Sequence, residues 1–111
     1  MKNPEIFLKH ILESIIEIEN NTKKLKAKEF YQTIYIQDAV IRRLEIIGEA
    51  VKNIPKPFRD KYSSIPWIKI AGLRDVLIHN YFGVDIYLVW QIVIKDLPDF
   101  KKQVTEILKK K

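Results

Sequence analysis

The chain of 111 residues contains no cysteine, which excludes a disulfide framework, a thiolate metal site and a cysteine nucleophile. Glycine is nearly as scarce: Gly48, Gly72 and Gly83 are too far apart to form a phosphate-cradling loop, so an enzyme built around a bound nucleotide has little support and no cofactor is expected. No apolar run approaches the ~20 residues that cross a bilayer. The opening Met1-Lys2-Asn3-Pro4-Glu5 also lacks the unbroken apolar stretch of a signal peptide, so the expectation is a cytoplasmic protein without membrane association. Strand-like alternation, internal repeats and low-complexity tracts are missing, and histidine occurs twice, at His10 and His79.

What is present is a dense supply of apolar residues, 47% of the chain and spread along its length, enough to offset the conformational entropy of folding. The length suits one domain with one core, covering residues 1–111. A formal charge of +6 leans toward a polyanionic partner, because clustered Lys and Arg release counterions from a phosphate backbone. Runs such as Lys23-Lys24-Leu25-Lys26 and Lys109-Lys110-Lys111 sit at turns and ends, where a solvated face explains them equally well.

Helical periodicity dominates. Asn3-Pro4-Glu5 reads as N-cap, N1 proline and a first-turn acid. Leu8, Ile11, Leu12, Ile15, Ile16 and Ile18 then recur at spacings of three and four, predicting a helix to about Asn20-Asn21. The longest helix is predicted from about Tyr31 to Lys52, through Ile34, Val40, Ile41, Leu44, Ile47 and Val51. Ile54-Pro55-Lys56-Pro57 breaks the pattern and predicts a loop to about Ser64. A third helix, capped by Ser63 or Ser64, opens at Pro66-Trp67 and runs through Ile70, Leu73, Val76 and Leu77 to about His79-Asn80, with Asn80 and Gly83 suited to turn positions. Asp85 restarts a helix through Leu88, Val89, Ile92 and Val93, and Pro98 kinks it or begins another. The expected fold is all-α, an up-down bundle of four or five helices.

Arg74, Asp75, His79 and Tyr81 fall within eight positions, a density of chemistry found nowhere else in the chain. At about 100° per residue, Asp75 and His79 lie one helical turn apart, so the carboxylate can orient the imidazole. Tyr81 converges on them only if the helix ends there. The helix C-terminus and Asp75 both favour a protonated His79, which moves its titration up from about 6.5 toward neutrality. Arg beside a titratable His suits phosphodiester chemistry, with Arg gripping phosphate and His moving protons. RNA needs no metal for this, since its 2′-hydroxyl is an internal nucleophile. One chain offers one such histidine, so a two-fold dimer pairing two copies of the segment is inferred. The same spacing also suits a plain Asp75–His79 helix pair with Arg74 solvated. His10, by contrast, has no acid-base partner near it in sequence and reads as structural. Glu45 and Glu49 read as a salt-bridged face with Arg42 and Arg43, so no metal site is expected. Trp67, Tyr62, Phe58 and Phe82 are candidates for stacking on bases, Trp67 being better suited to the core. Lys52, Lys56, Arg59 and Lys61 are candidates for guiding RNA.

Arg74-x4-His79-x-Tyr81 resembles, without a gap, the R-x4-H-x-Y motif of HepT-like toxins, a branch of the HEPN superfamily of helical ribonucleases. The segment Arg42-Arg43-Leu44-Glu45-Ile46-Ile47-Gly48-Glu49-Ala50, the Trp67-x4-Gly72-Leu73-Arg74 approach and Val84-Asp85 are similar as well, so the resemblance spans essentially the whole chain. It implies a HEPN-like homodimeric toxin of a type VII-like HEPN/MNT toxin–antitoxin system, a metal-independent ribonuclease whose catalytic Arg74 and His79 pair across the dimer interface. It also implies an MntA-type nucleotidyltransferase antitoxin as partner, which silences the toxin by transferring AMP to Tyr81. Each AMP would place bulk and a negative phosphate where the RNA phosphate binds. The alternative is a non-catalytic helical subunit that presents a substrate or partner to a nucleotidyltransferase.

Overall fold

Asn3 starts the first helix as its sequence predicts. Its Oδ1 accepts from the Glu5 N–H at 3.0 Å, Pro4 occupies the first turn, and α1 runs over Pro4–Thr22. A computed structural model describes residues 3–73, 75 and 85–110, and every regular element among them is helical.

The long helix expected from Tyr31 is divided. The chain forms a short α2, Ala27–Gln32, and then α3, Ile34–Asn53, with Thr33 between them at φ −118°, ψ 89°. Side chains take over the hydrogen bonding at the break: the Thr33 hydroxyl donates to the Glu29 carbonyl at 2.7 Å and Gln37 Nε2 donates to the Phe30 carbonyl at 2.9 Å. Fully buried Phe30 fixes the short helix to the core, its ring 5.0 Å from that of Trp90.

The loop predicted before Ser64 is also partly helical. Pro55, extended at ψ 141°, precedes α4, Lys56–Lys61, and Pro57 sits in the first turn, where a missing N–H costs nothing. The two prolines therefore end one helix and begin the next. α5, Trp67–Ala71, starts after Pro66 in the N-cap position, with no side-chain cap from Ser63 or Ser64.

Asp85 restarts the helix as expected, its Oδ1 accepting from the N–H groups of Tyr87 and Leu88 at 3.1 Å each, and α6 follows over Ile86–Gln91. The chain then makes one π turn, Ile92–Asp96, before α7, Leu97–Lys109. In this turn the Leu97 N–H donates to the Ile92 carbonyl, five residues back. Ile92 and Leu97 are both buried, 4% exposed each. In an unbroken α-helix the position stacked below Ile92 would be Asp96; the π turn puts Leu97 there instead and leaves Asp96 exposed, 3.6 Å from Lys69. Pro98 lies in the first turn of α7, so the helix changes phase at the π turn rather than kinking at the proline.

These helices share one hydrophobic core. Leu8, Ile11, Ile15 and Ile18 of α1 meet Val40, Leu44, Ile47 and Val51 of α3 along the most extensive helix–helix contact, and all eight are completely buried. α7 lies against α1, where Lys101 Nζ reaches Glu19 Oε1 at 2.7 Å, and α5 lies against α3. Among the described residues no helix is long and apolar enough to cross a membrane.

Two substitutions in this seam should have opposite effects on unfolding by denaturant. Leu44→Ala opens a cavity in the centre and should lower stability by about 2–5 kcal/mol. Ser14 is 1% exposed, and its hydroxyl has no hydrogen-bond partner. Ser14→Ala removes that desolvated group and should raise stability by on the order of 1 kcal/mol.

Candidate functional site

The approach to the motif is held by Trp67. Its indole Nε1–H is shared between the Arg59 carbonyl at 3.1 Å and the Tyr62 carbonyl at 3.0 Å, closing the connection from α4 to α5. The ring is 5% exposed and meets Phe100 edge-on at 6.1 Å between centroids. It therefore belongs to the core and is not available for base stacking. α5 ends at Gly72, whose N–H still donates to the Ile68 carbonyl four residues back at 3.0 Å. Leu73 is helical and buried, and Asp75 is helical and exposed. The chain thus enters the motif anchored on its apolar side by Trp67, Ile70 and Leu73, with Asp75 turned to solvent. Arg74, His79 and Tyr81 lie outside the described residues, as do the helix end expected at Asn80, the turn at Gly83, the stacking candidate Phe82 and the Asp75–His79 pairing.

The four candidate RNA-guiding cations do not form one cluster. Lys56 and Arg59 line a groove of about 370 Å³ between α4 and α5, together with Lys69. Within it Lys56 is already paired with Asp60 at 2.9 Å, and Arg59 is half-buried with Nε shielded from solvent and without a hydrogen-bond partner. Lys52 stands exposed in the last turn of α3, and Lys61 lies over the Tyr62 ring, 5.7 Å from its centroid. Tyr62 in turn packs on Phe58 at 5.0 Å, so both rings are half-buried rather than free platforms.

A second opening lies across the α1–α3 seam, a cleft of about 380 Å³ lined by Phe7, His10, Arg42, Glu45, Glu49 and Asn53, among others. The ion-paired face expected around Glu45 is not formed: among the described residues, neither Arg42, Arg43 nor Glu45 belongs to an ion pair. Arg42 and Glu45 line the cleft without pairing with each other. Sequence reasoning set His10 and Glu45 aside, although a signal was present. Arg42, Glu45, Glu49 and Asn53 recur at spacings of three and four on one face of α3, and Phe7 and His10 do so on α1. No group of three acidic or histidine side chains among the described residues is arranged to hold a metal ion.

Residues 11–107 match the family model described as "Ribonuclease HepT-like". The chain belongs to the HepT-like ribonuclease family. A protein of Caldanaerobacter subterraneus subsp. tengcongensis named "Putative RNase TTE0752" is 46% identical over 110 residues, covering 99% of this chain and 98% of that protein. The "Probable ribonuclease HepT" of Thermococcus cleftensis is 44% identical over 103 residues, covering 93% and 94%. In Methanocaldococcus jannaschii, a protein named "Gamma-glutamylcyclotransferase and putative RNase MJ0434" is 51% identical over 107 residues; the match takes in 96% of this chain but 48% of that longer protein. No solved structure matches the chain. An all-α HEPN-like bundle is what the family and the helices together give.

Because the Trp67 indole ties α4 to α5, Trp67→Phe should lower the thermal unfolding midpoint, with a loss on the order of 1–2 kcal/mol for the two shared hydrogen bonds. Calorimetry checks this, and an unchanged midpoint would mean that the α4–α5 connection is held by other contacts.

Proposed function

We propose that this chain, acting as one domain over residues 1–111, is a metal-independent ribonuclease that cuts RNA with Arg74 and His79, and that it is the toxin half of a toxin–antitoxin pair in the cytoplasm. One observation carries the reading: the ungapped Arg74-x4-His79-x-Tyr81 motif occurs in a chain that belongs to the HepT-like ribonuclease family. The reaction needs a base to take the proton of the 2′-hydroxyl, a cation to stabilise the phosphorane-like transition state and an acid to protonate the departing 5′-oxygen. A homodimer that brings two motifs together supplies two histidines for the proton transfers and two arginines for the charge. Asp75 orients His79 and helps hold its proton. Lys52, Lys56, Arg59 and Lys61 draw the RNA backbone toward the cleft, a role that suits their exposure or their place on the α4–α5 groove.

Tyr81 is the control point in this reading. A nucleotidyltransferase antitoxin would join the tyrosine oxygen to the α-phosphorus of ATP and release pyrophosphate, leaving an AMP phosphodiester two residues from His79. Its negative charge competes for Arg74, and its bulk fills the space the substrate phosphate needs.

The test is RNA cleavage in EDTA by protein purified without the antitoxin, whose Tyr81 is shown unmodified by mass spectrometry. Wild type should cut. His79→Ala should not, and Arg74→Ala should be slower by on the order of 100-fold through lost transition-state stabilisation. Normal cleavage by either variant removes the site assignment; no cleavage by unmodified wild type across a panel of cellular RNAs favours a non-catalytic partner-binding subunit.

A further inference from the structure

The α1–α3 seam is apolar along most of its length, and the cleft of about 380 Å³ is where that pattern fails. Its size falls within the ~300–1,000 Å³ usual for small-ligand pockets. Phe7 and His10 face it from α1, and Arg42, Glu45, Glu49 and Asn53 face it from α3. His10, Arg42 and Glu45 make no hydrogen bond or ion pair through their side chains among the described residues. A half-buried carboxylate and a guanidinium directed into one cavity, and not paired with each other, leave acceptors and donors for something else. His10, Glu45 and Glu49 are not arranged as a set of three metal ligands, so the cleft is not read as a metal site. α3, which carries Arg42, Glu45 and Glu49 of the cleft wall, also packs against α5.

We propose that this cleft is a base-reading pocket for the RNA substrate and that the base it takes is guanine. The inference rests on the ribonuclease reading above and adds to it a sequence preference. A carboxylate offers only acceptors, so it is best matched by two adjacent donors. Among the four bases only guanine has them, N1–H and the N2 amino group side by side on the Watson–Crick edge; adenine and cytosine present one amino donor beside an acceptor, and uracil one donor between two acceptors. Single-stranded RNA exposes that edge, and proteins read it while holding the face of the base against an aromatic ring. Glu45 is the group that reads guanine, Phe7 forms the apolar wall against the base, and Arg42 at the exposed rim meets a flanking phosphate.

The probe is a set of fluorescein-labelled decamers made of 2′-O-methyl uridine with one central G, A or C, or none. They lack the 2′-hydroxyl nucleophile and so report binding alone. By fluorescence anisotropy the G decamer should bind wild type about tenfold or more tighter than the other three, the discrimination expected of one bidentate base contact. Glu45→Gln exchanges one acceptor for a donor and should abolish the preference, and Phe7→Leu should weaken all decamers together. His79→Ala should keep the full preference while losing cleavage. Equal affinity for all four decamers, absence of binding, or an undiminished G preference in Glu45→Gln would overturn the proposal. It is overturned as well if Glu45→Gln leaves RNA binding intact but shifts sedimentation equilibrium from dimer to monomer, because the cleft is then a contact between copies. If wild type binds the G decamer selectively yet cleaves no RNA, the pocket stands and the ribonuclease reading falls.

Discussion

The interdigitation of the α1 and α3 stripes is the constraint under which the remaining helices are placed. Eight completely buried aliphatic side chains lie in that one contact, and each contributes roughly 1.5–3 kcal/mol relative to exposure. The short helices could not persist without it, since six residues are far below the ~12–15 at which an isolated helix becomes even marginal. α2 is held through Phe30 and Gln37, α5 through Trp67 and Ile70, and α7 through its buried face against α1. The approach to Arg74 thus inherits its position from a contact that contains none of the reactive residues.

Much of this was legible because period and cap agree. Asn3 with Pro4, and Asp85 before an apolar stretch, mark helix starts whose side-chain bonds form as expected, and the stripe on α1 is the buried one. Two of the errors, at Thr33 and Glu45, come from contacts between elements overriding local rules, and the one at Pro55 and Pro57 comes from a local rule with two outcomes. Thr33 breaks a helix that propensity would continue, because Gln37 and the buried Phe30 ring gain from the turn. Pro55 and Pro57 read as breakers, yet a proline in a first turn is compatible with starting a helix. Glu45 reads as a partner for Arg42 or Arg43 because spacing along one helix reveals neighbours on that helix only. The cleft is created by α1, which approaches from far away in sequence.

The motif is a reading of spacing and family likeness, and its electrostatic surroundings could not be read in the same way. Composition gives a charge of +6, but it says nothing of how Lys56 is offset by Asp60, Lys69 by Asp96 and Lys101 by Glu19. Among the described residues, Lys52 in the last turn of α3 and Arg59 on the α4–α5 groove belong to no ion pair.

The π turn at Ile92–Asp96 acts on the bundle as a phase adjuster. Before it, α6 answers to α2, through the Tyr31–Tyr87 and Phe30–Trp90 ring contacts at 4.6 and 5.0 Å; after it, α7 answers to α1 and, through Phe100, to Trp67. A rigid α-helix would force one angular setting on both sets of neighbours. One extra residue in the ladder lets each half turn to its own, so residue changes that refit α6 against α2 need not be transmitted as rotation into the α1–α7 contact.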